Sequence, residues 1–416
     1  MNHQTIYVFE HQTLKVGDHG FSESHRQALE CFLGDKDEIS FPYYSLIHNG
    51  VKFRHFVGVL HVNGLNIEVL PKTDRDNWSE NERKDFWRRS LLHMLSNVYK
   101  LDVKAPTDAD QQSKTSSPIL DVFVFRFLDE IDNLLNRGLV KCYHKIKGDR
   151  SALKGKLLLA EQLRRNFIHR ERFYVNYTTY DYEHLMNCLL RQALVVTTQV
   201  TNNAFLRGRA LSALFSFPEL KDVPISSELF DGLLFDRKTE DYQMAIRMAK
   251  FLLLHSMPNR LGNGDRVLAL MFNMNKLWEE YVFIMLRRNL STFEVRSQEY
   301  KVFWMYQDNT NKKHVIPDIV IRNKKTREVA AILDTKWKCP ANTPSDGDLH
   351  QMFVYSHMFN ANKIGLVYPS TNAQHPVNAY YLDGKGSTSL RCCDMLYLPP
   401  IEDTNLLSPI KDWLNS

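Results

Sequence analysis

"PDIVIRNKKTREVAAILDTKWK", residues Pro317–Lys338, holds two short apolar runs that each meet a carboxylate at one end. Ile319-Val320-Ile321 follows Pro317-Asp318, and Val329–Leu333 runs straight into Asp334-Thr335-Lys336. Runs of this length, rich in β-branched residues and bounded by turn formers, read as buried strands. Polar residues at a strand end are ordinarily a solvated edge, where an aspartate–lysine pair contributes little. Whether Asp318, Asp334 and Lys336 form an edge or a site depends on what else converges there.

The flanking sequence predicts a helix over Asn275–Arg288 and strands near Glu294–Tyr300, Val302–Gln307, Val315–Arg322 and Glu328–Trp337. A helix over Asp346–Asn360 and a strand over Ile364–Tyr368 follow. That mixed order predicts a central mixed sheet with flanking helices. On a strand Asp334 and Lys336 leave the same face, and Thr335 points away with its carbonyl free. A carboxylate beside a carbonyl suits a hard cation such as Mg²⁺, and Asp318 offers a second carboxylate. Lys336 is placed to position a water or offset charge on a phosphate, so the set fits phosphodiester hydrolysis. In Leu277–Val282, LWEEYV, either Glu279 or Glu280 can face this point. Gln351 and Tyr355 share one helix face, either to hold the lysine or to contact a phosphate.

A chain of 416 residues is long for one core and predicts two or three domains. Its 44% hydrophobic and 12% aromatic content is that of a folded protein. A net charge of +5 permits an anionic partner without demanding one. No apolar run approaches the ~18 residues of a membrane span, and MNHQTIYVFEHQ lacks the order of a signal peptide. Six cysteines without CxxC spacing read as free thiols in a reducing cytoplasm.

Upstream, Asn49-Gly50 and Asn63-Gly64 are hairpin signals that would fold Tyr43–His48, Phe53–Val62 and Leu65–Leu70 into one meander. Ser79 opens a capping-box pattern before a helix to about Tyr99, and Lys104–Ser117 reads as a loop. A helix over Ile119–Arg137 ends at Gly138, and further helices lie near Tyr182–Val200, Arg207–Phe215 and Glu240–Leu254. Arg150, Lys154, Lys156, Arg164, Arg165, Arg170 and Arg172 make this stretch basic, as a phosphate surface or a solvated face. Met257–Gly264 reads as a linker. The fold class is therefore α+β multidomain: β-rich 1–103, mainly helical 118–256, and α/β 265–416.

In order and element type, Glu279, Asp318, Asp334, Lys336, Gln351 and Tyr355 resemble the PD-(D/E)xK nucleases, with the QxxxY element of their RecB-like branch. The wider chain resembles the McrC family of McrBC-type restriction systems. The resemblance lies in VGVLHVNGLNIEVLPK (Val57–Lys72), LKGKLLL (Leu153–Leu159), YDYEHLMNCLLRQAL (Tyr180–Leu194) and MNKLWEEYV (Met274–Val282). It departs at Trp278, where the family more often has Phe, and at Glu280, which leaves the acidic ligand open; alignment on Leu277 favours Glu279.

The resemblance implies an Mg²⁺-dependent endonuclease subunit that cuts methylcytosine-containing foreign double-stranded DNA. It implies Asp318, Asp334, Glu279 and the Thr335 carbonyl as metal ligands, with Lys336, Gln351 and Tyr355 completing the catalytic set. It also implies a partner, an McrB-like AAA+ GTPase hexamer that binds the GTP and whose GTPase this subunit stimulates. No GxxxxGK[ST] phosphate loop occurs here, in keeping with that division. The amino-terminal β region and the helical middle would then dock on the partner. Two rival readings are a stand-alone PD-(D/E)xK nuclease of repair or recombination and a non-catalytic adaptor. An adaptor has no need for the full Asp–Asp–Lys set.

Overall fold

A computed structural model describes residues 5–34, 41–62, 65–71, 80–99, 119–258, 266–306, 311–338, 343–371, 374–382, 388–401 and 407–415. Asn63-Gly64, Ser79, Lys104–Ser117 and the 259–264 part of the linker lie outside the described residues.

From the amino terminus come β1 (Thr5–Phe9), β2 (Thr13–Lys15), α1 (Glu23–Leu33), β3 (Tyr44–Ile47), β4 (Gly50–Phe53), β5 (Phe56–Val62) and β6 (Leu65–Leu70). Helices α2 (Glu80–Tyr99) and α3 (Ile119–Arg137) follow. Next are β7 (Cys142–Arg150), β8 (Lys156–Leu157), α4 (Leu159–Arg165), β9 (Phe173–Asp181), α5 (Leu185–Val200), α6 (Ala204–Ser216), α7 (Ser227–Asp231), α8 (Gln243–Leu254) and β10 (Ser256–Pro258). The last stretch holds β11 (Arg266–Asn273), α9 (Met274–Asn289), β12 (Phe293–Ser297), β13 (Lys301–Met305), β14 (Lys312–Val315), β15 (Ile319–Asn323) and β16 (Val329–Thr335). It closes with α10 (Asp346–Phe359), β17 (Lys363–Pro369), β18 (Tyr380–Leu382), β19 (Thr388–Leu398) and α11 (Ser408–Asn415).

The described residues up to Val122 and from Ala269 onward form one compact unit; Phe123–Pro258 with 266–268 form the other. The sequence segments 1–103 and 265–416 thus meet in one body. In that first unit the Asn49-Gly50 signal is a tight turn, with Ile47 opposite Gly50 and Asn49 at a left-handed φ of 61°. The single meander does not form. β3 and β4 join β2 in a three-stranded sheet, whereas β5 and β6 join β1 and β11 in a second sheet. The reason is burial: β6 is covered on both faces and β5 almost entirely so, as interior strands of a larger sheet are.

The second unit is built mostly of helices. Besides its helices it contains a sheet of order β7-β9-β8, in which β7 and β9 pair from Cys142↔Asp181 to Arg150↔Phe173. CYHKIKGDR alternates half-buried with exposed residues but carries few apolar ones, so its period-2 signal is weak. Gly138 stops α3 at a φ of 90°.

The sheet that positions the site runs β12-β15-β16-β17-β19-β18, antiparallel from β12 to β16 and parallel from β16 to β19. The run Val315–Arg322 is two strands rather than one, because Pro317 cannot donate to a ladder. On one face α10 buries Met352, Tyr355 and Phe359 against Val320, Ile332, Ile364 and Tyr368. No described helix is long and apolar enough to cross a membrane, and the described cysteines are free thiols.

Gly58 lies in β5 at a φ of 137°, and a Cβ there would sit 1.9 Å from the Leu270 carbonyl oxygen of β11. Backbone strain of this kind costs on the order of 1–3 kcal/mol before the clash is added. Gly58→Ala is expected to lower the melting temperature clearly in calorimetry. An unchanged melt would show that β5 and β11 do not approach this closely.

Candidate active site

The β15–β16 ladder pairs Ile319 with Leu333, and one step further along that register Asp318 stands opposite Asp334. Ile319, Ile332 and Leu333 beside this point are fully buried, so the strands are covered on both faces where the carboxylates emerge. Thr335 ends its strand, and its N–H and hydroxyl both donate to Asp318 Oδ2, at 2.7 and 2.8 Å. Its side chain therefore does not point away from the site, as the alternation predicts, but clamps the first carboxylate.

Asp334 is 1% exposed. Lys336 lies just past the strand, where its N–H donates to the Val367 carbonyl at 2.9 Å. Its Nζ is 2.5 Å from Asp334 Oδ2 and 3.7 Å from Asp348 Oδ1, and it donates to Gln351 Oε1 at 3.2 Å. Gln351 in turn donates to the Tyr355 hydroxyl at 2.7 Å, which donates to the Ile316 carbonyl at 3.0 Å. Gln351 and Tyr355 are thus linked to the lysine in one chain of hydrogen bonds. Glu279, on α9, accepts a hydrogen bond from the Gln298 amide, whose own backbone N–H donates to the Asp318 carbonyl at 3.2 Å.

Burial, and after it the charge of Asp318, push the Asp334 carboxyl up to about 7, with Lys336 only partly offsetting them. Burial opposes the charge of Lys336, yet Asp334 beside it holds its pKa above the ordinary lysine value. Burial and then Asp318 also raise Glu279. Glu279 and Glu280 both line a cavity of about 800 Å³ together with Gln298, Asp318, Asp334 and Lys336. Glu279 also receives the Gln298 amide that ties it to the Asp318 backbone.

Sequence reasoning missed several residues here. Asp348 pairs with Lys338 at 2.5 Å and keeps that lysine beside the cleft; its signal was its place one helical turn before Gln351. Gln298 gave no signal, being a polar residue at a left-handed φ of 55° just past β12. Trp337, which also lines the cleft, donates to Glu10 Oε1 at 2.7 Å and meets Trp87 and Trp278 edge-on. Trp278, the departure from Phe, is fully buried, and its indole N–H donates to the Val367 carbonyl at 3.3 Å. In the second unit His144, Asp181 and Glu183 also cluster, but Lys221 sits 2.6 Å from Glu183. In the basic stretch there, Arg164 and Arg165 pair with Glu161.

What the fold and site define is an α+β protein whose mixed sheet presents paired carboxylates and a fixed lysine to one cleft. The sequence model of the McrBC 5-methylcytosine restriction system component matches residues 51–369, and the chain belongs to that family. No curated protein matches it by sequence. Among solved structures it is similar to a chain in the half-complex of a tetradecameric assembly of Thermococcus gammatolerans McrB AAA+ hexamers with bound McrC. That match has 20% identity, covers 99% of both chains, and has a TM-score of 0.70. A chain in the cryo-EM structure of the Thermococcus gammatolerans McrBC complex matches at 20% identity over 70% of this chain and 89% of that one, with a TM-score of 0.48.

Because folded Asp334 titrates near 7, the native state holds a proton that the unfolded chain releases at about pH 4. Native stability contributed by this group therefore falls as pH rises from about 4 to 7. In metal-free buffer Asp334→Asn is expected to melt above the wild type at pH 8, with the gap closing toward pH 4. A variant that melts lower at pH 8 would show that the carboxylate is not held against its charge.

Proposed function

We propose that this chain is the DNA endonuclease subunit of a GTP-dependent McrBC-type restriction complex, with a PD-(D/E)xK site and Mg²⁺ as cofactor. The observation that carries this reading is the opposition of Asp318 and Asp334 at the end of one ladder, with Lys336 fixed between Asp334 and Gln351.

The donor set fits a hard divalent cation. Asp318, Asp334 and Glu279 offer oxygen alone, and burial and then the Asp318 charge hold the Asp334 and Glu279 carboxyls above their ordinary range, a cost that a bound cation would relieve. These three would hold the ion, with the Thr335 carbonyl as the fourth protein ligand. Bound there, Mg²⁺ supplies a water of lowered pKa and offsets charge on the phosphate. Lys336, anchored by Asp334 and Gln351, holds its ammonium where an attacking water and a non-bridging phosphate oxygen must meet. Tyr355 and the Ile316 carbonyl fix the amide that fixes the lysine. Thr335 keeps Asp318 oriented toward the cleft through two hydrogen bonds.

Membership of a 5-methylcytosine restriction family supports methylcytosine-containing DNA as substrate. The similar Thermococcus gammatolerans assembly, in which McrC is bound to McrB AAA+ hexamers, supports a AAA+ GTPase partner for this chain. GTP belongs to that partner, and this chain stimulates its hydrolysis. The stand-alone repair nuclease has no observation of its own in its favour.

Asp334→Asn, assembled with the AAA+ partner, is expected to abolish cleavage of methylated DNA while the complex still forms. Wild-type cutting by that variant would overturn the site. Lys336→Ala is expected to lower the cleavage rate by about 10²-fold or more while GTPase stimulation stays at the wild-type level. Parallel loss of both activities in a folded variant would refute the separation of the two tasks.

A further inference from the structure

Between Gln298 and Asp318 the chain leaves the sheet and makes a separate two-stranded ribbon, β13–β14. Val302, Phe303, Trp304 and Met305 are all exposed, at 40, 50, 44 and 45%. Successive side chains of a strand leave opposite faces, so four in a row exposed means that neither face is covered. Trp304 also stacks edge-on against Tyr306, with ring centroids 4.7 Å apart, and Tyr306 is itself 52% exposed. A bare two-stranded ribbon is marginal in water, and an apolar patch of this size on one marks a contact surface.

The opposite strand has a different character. Lys312, Lys313 and His314 are exposed and pair across the ribbon with Met305, Trp304 and Val302. The register slips at Phe303, a bulge that adds twist. Each rung therefore sets an apolar side chain beside a basic or imidazole one.

The ribbon's roots connect it to the cleft. Its first strand leaves just after Gln298, which bonds to Glu279 and to the Asp318 carbonyl; its second returns through Ile316 and Pro317 into Asp318. The Ile316 carbonyl at that return is the anchor of Tyr355. The ribbon is thus continuous with the wall that holds the carboxylates.

We infer that β13–β14 is a duplex-DNA ribbon that enters a groove beside the scissile phosphate. Lys312 and Lys313 contact backbone phosphates, and Phe303, Trp304 and Met305 press on base edges. A two-stranded ribbon fits the ~12 Å major groove, and apolar side chains there or wedged between base steps are a recurrent means of grip. Lysine beside aromatic residues complements DNA better than a protein face, because the same ribbon then meets both the phosphates and the bases. The inference rests on the nuclease reading above and names how that site takes hold of its substrate.

The test is titration of a fluorescein-labelled DNA duplex with the full-length chain, followed by anisotropy over a range of salt concentrations. Lys312→Glu/Lys313→Glu is expected to weaken duplex affinity about tenfold or more and change the salt slope by roughly two, about one per lost phosphate contact. Trp304→Ala is expected to weaken affinity about tenfold while leaving the slope unchanged, because an apolar contact releases no counterions. Melting temperatures should match the wild type, since these side chains are exposed. Variants that bind duplex as the wild type does, or a wild type with no duplex affinity at low salt, would overturn the inference. So would variants that keep duplex affinity and lose the AAA+ partner instead, which would make the ribbon a protein-docking surface. If the variants lose duplex binding but the assembled wild type never cuts methylated DNA, the ribbon stands and the nuclease reading falls.

Discussion

Asp318 and Asp334 stand one step beyond the last rung, Ile319–Leu333, of a buried antiparallel ladder, and most of the cleft is arranged around keeping two carboxylates so close. Like charges in a low-dielectric setting repel strongly, and removing a carboxylate from water is costly in itself. Each acid has a separate remedy. Asp318 takes the N–H and hydroxyl of Thr335, and Asp334 takes the ammonium of Lys336. The remedies are incomplete, because Asp334 still sits near 7. A site at rest that holds surplus negative charge favours a cation, which is the physical content of the proposed Mg²⁺ chemistry.

The supporting parts follow from that surplus. Lys336 is drawn by three acceptors at once, and without Gln351 and Asp348 it would collapse wholly onto Asp334. Asp348 in turn is partly buried, yet its hydrogen bond from Lys338 brings its carboxyl below the ordinary range. The two lysines and two aspartates alternate around one helix N-terminus, so neutralisation is shared rather than pairwise. Removing one member redistributes the others, and single deletions there should not add.

How far the sequence could reveal this depended on whether a signal was local. Asp318, Asp334 and Lys336 were legible because each ends an apolar run, and Gln351 and Tyr355 because four residues separate them on a helix. Thr335 misled: simple alternation assumes that a strand continues, but β16 stops there, and a terminal N–H takes whichever acceptor is near. Asp318 was near. Gln298 and Glu10 had no local signal at all, since their partners lie elsewhere in the chain and only the folded topology joins them. The β7–β9 pair was missed for the opposite reason, having regular alternation with too little apolar contrast to notice.

The contact between Trp337 and Glu10 bears on what the amino-terminal segment does. Trp337 stands between Lys336 and Lys338 in a tight turn, closed by the Lys338 N–H donating to the Lys336 carbonyl at 3.0 Å. Its indole is held by Glu10 and by the edges of Trp87 and Trp278, residues from the first strand's end, from α2 and from α9. Anchoring the tryptophan therefore helps fix the turn that carries the two lysines at the cleft. Residues read from sequence as a docking region are thus also backing for the site. Loss of the first hundred residues would remove Glu10 and Trp87 together, strip three strands from the β1-β6-β5-β11 sheet, and leave the lysine-bearing turn without that support. A function assigned to that segment by truncation would confuse docking with this backing, whereas exposed point changes would leave Trp337 in place.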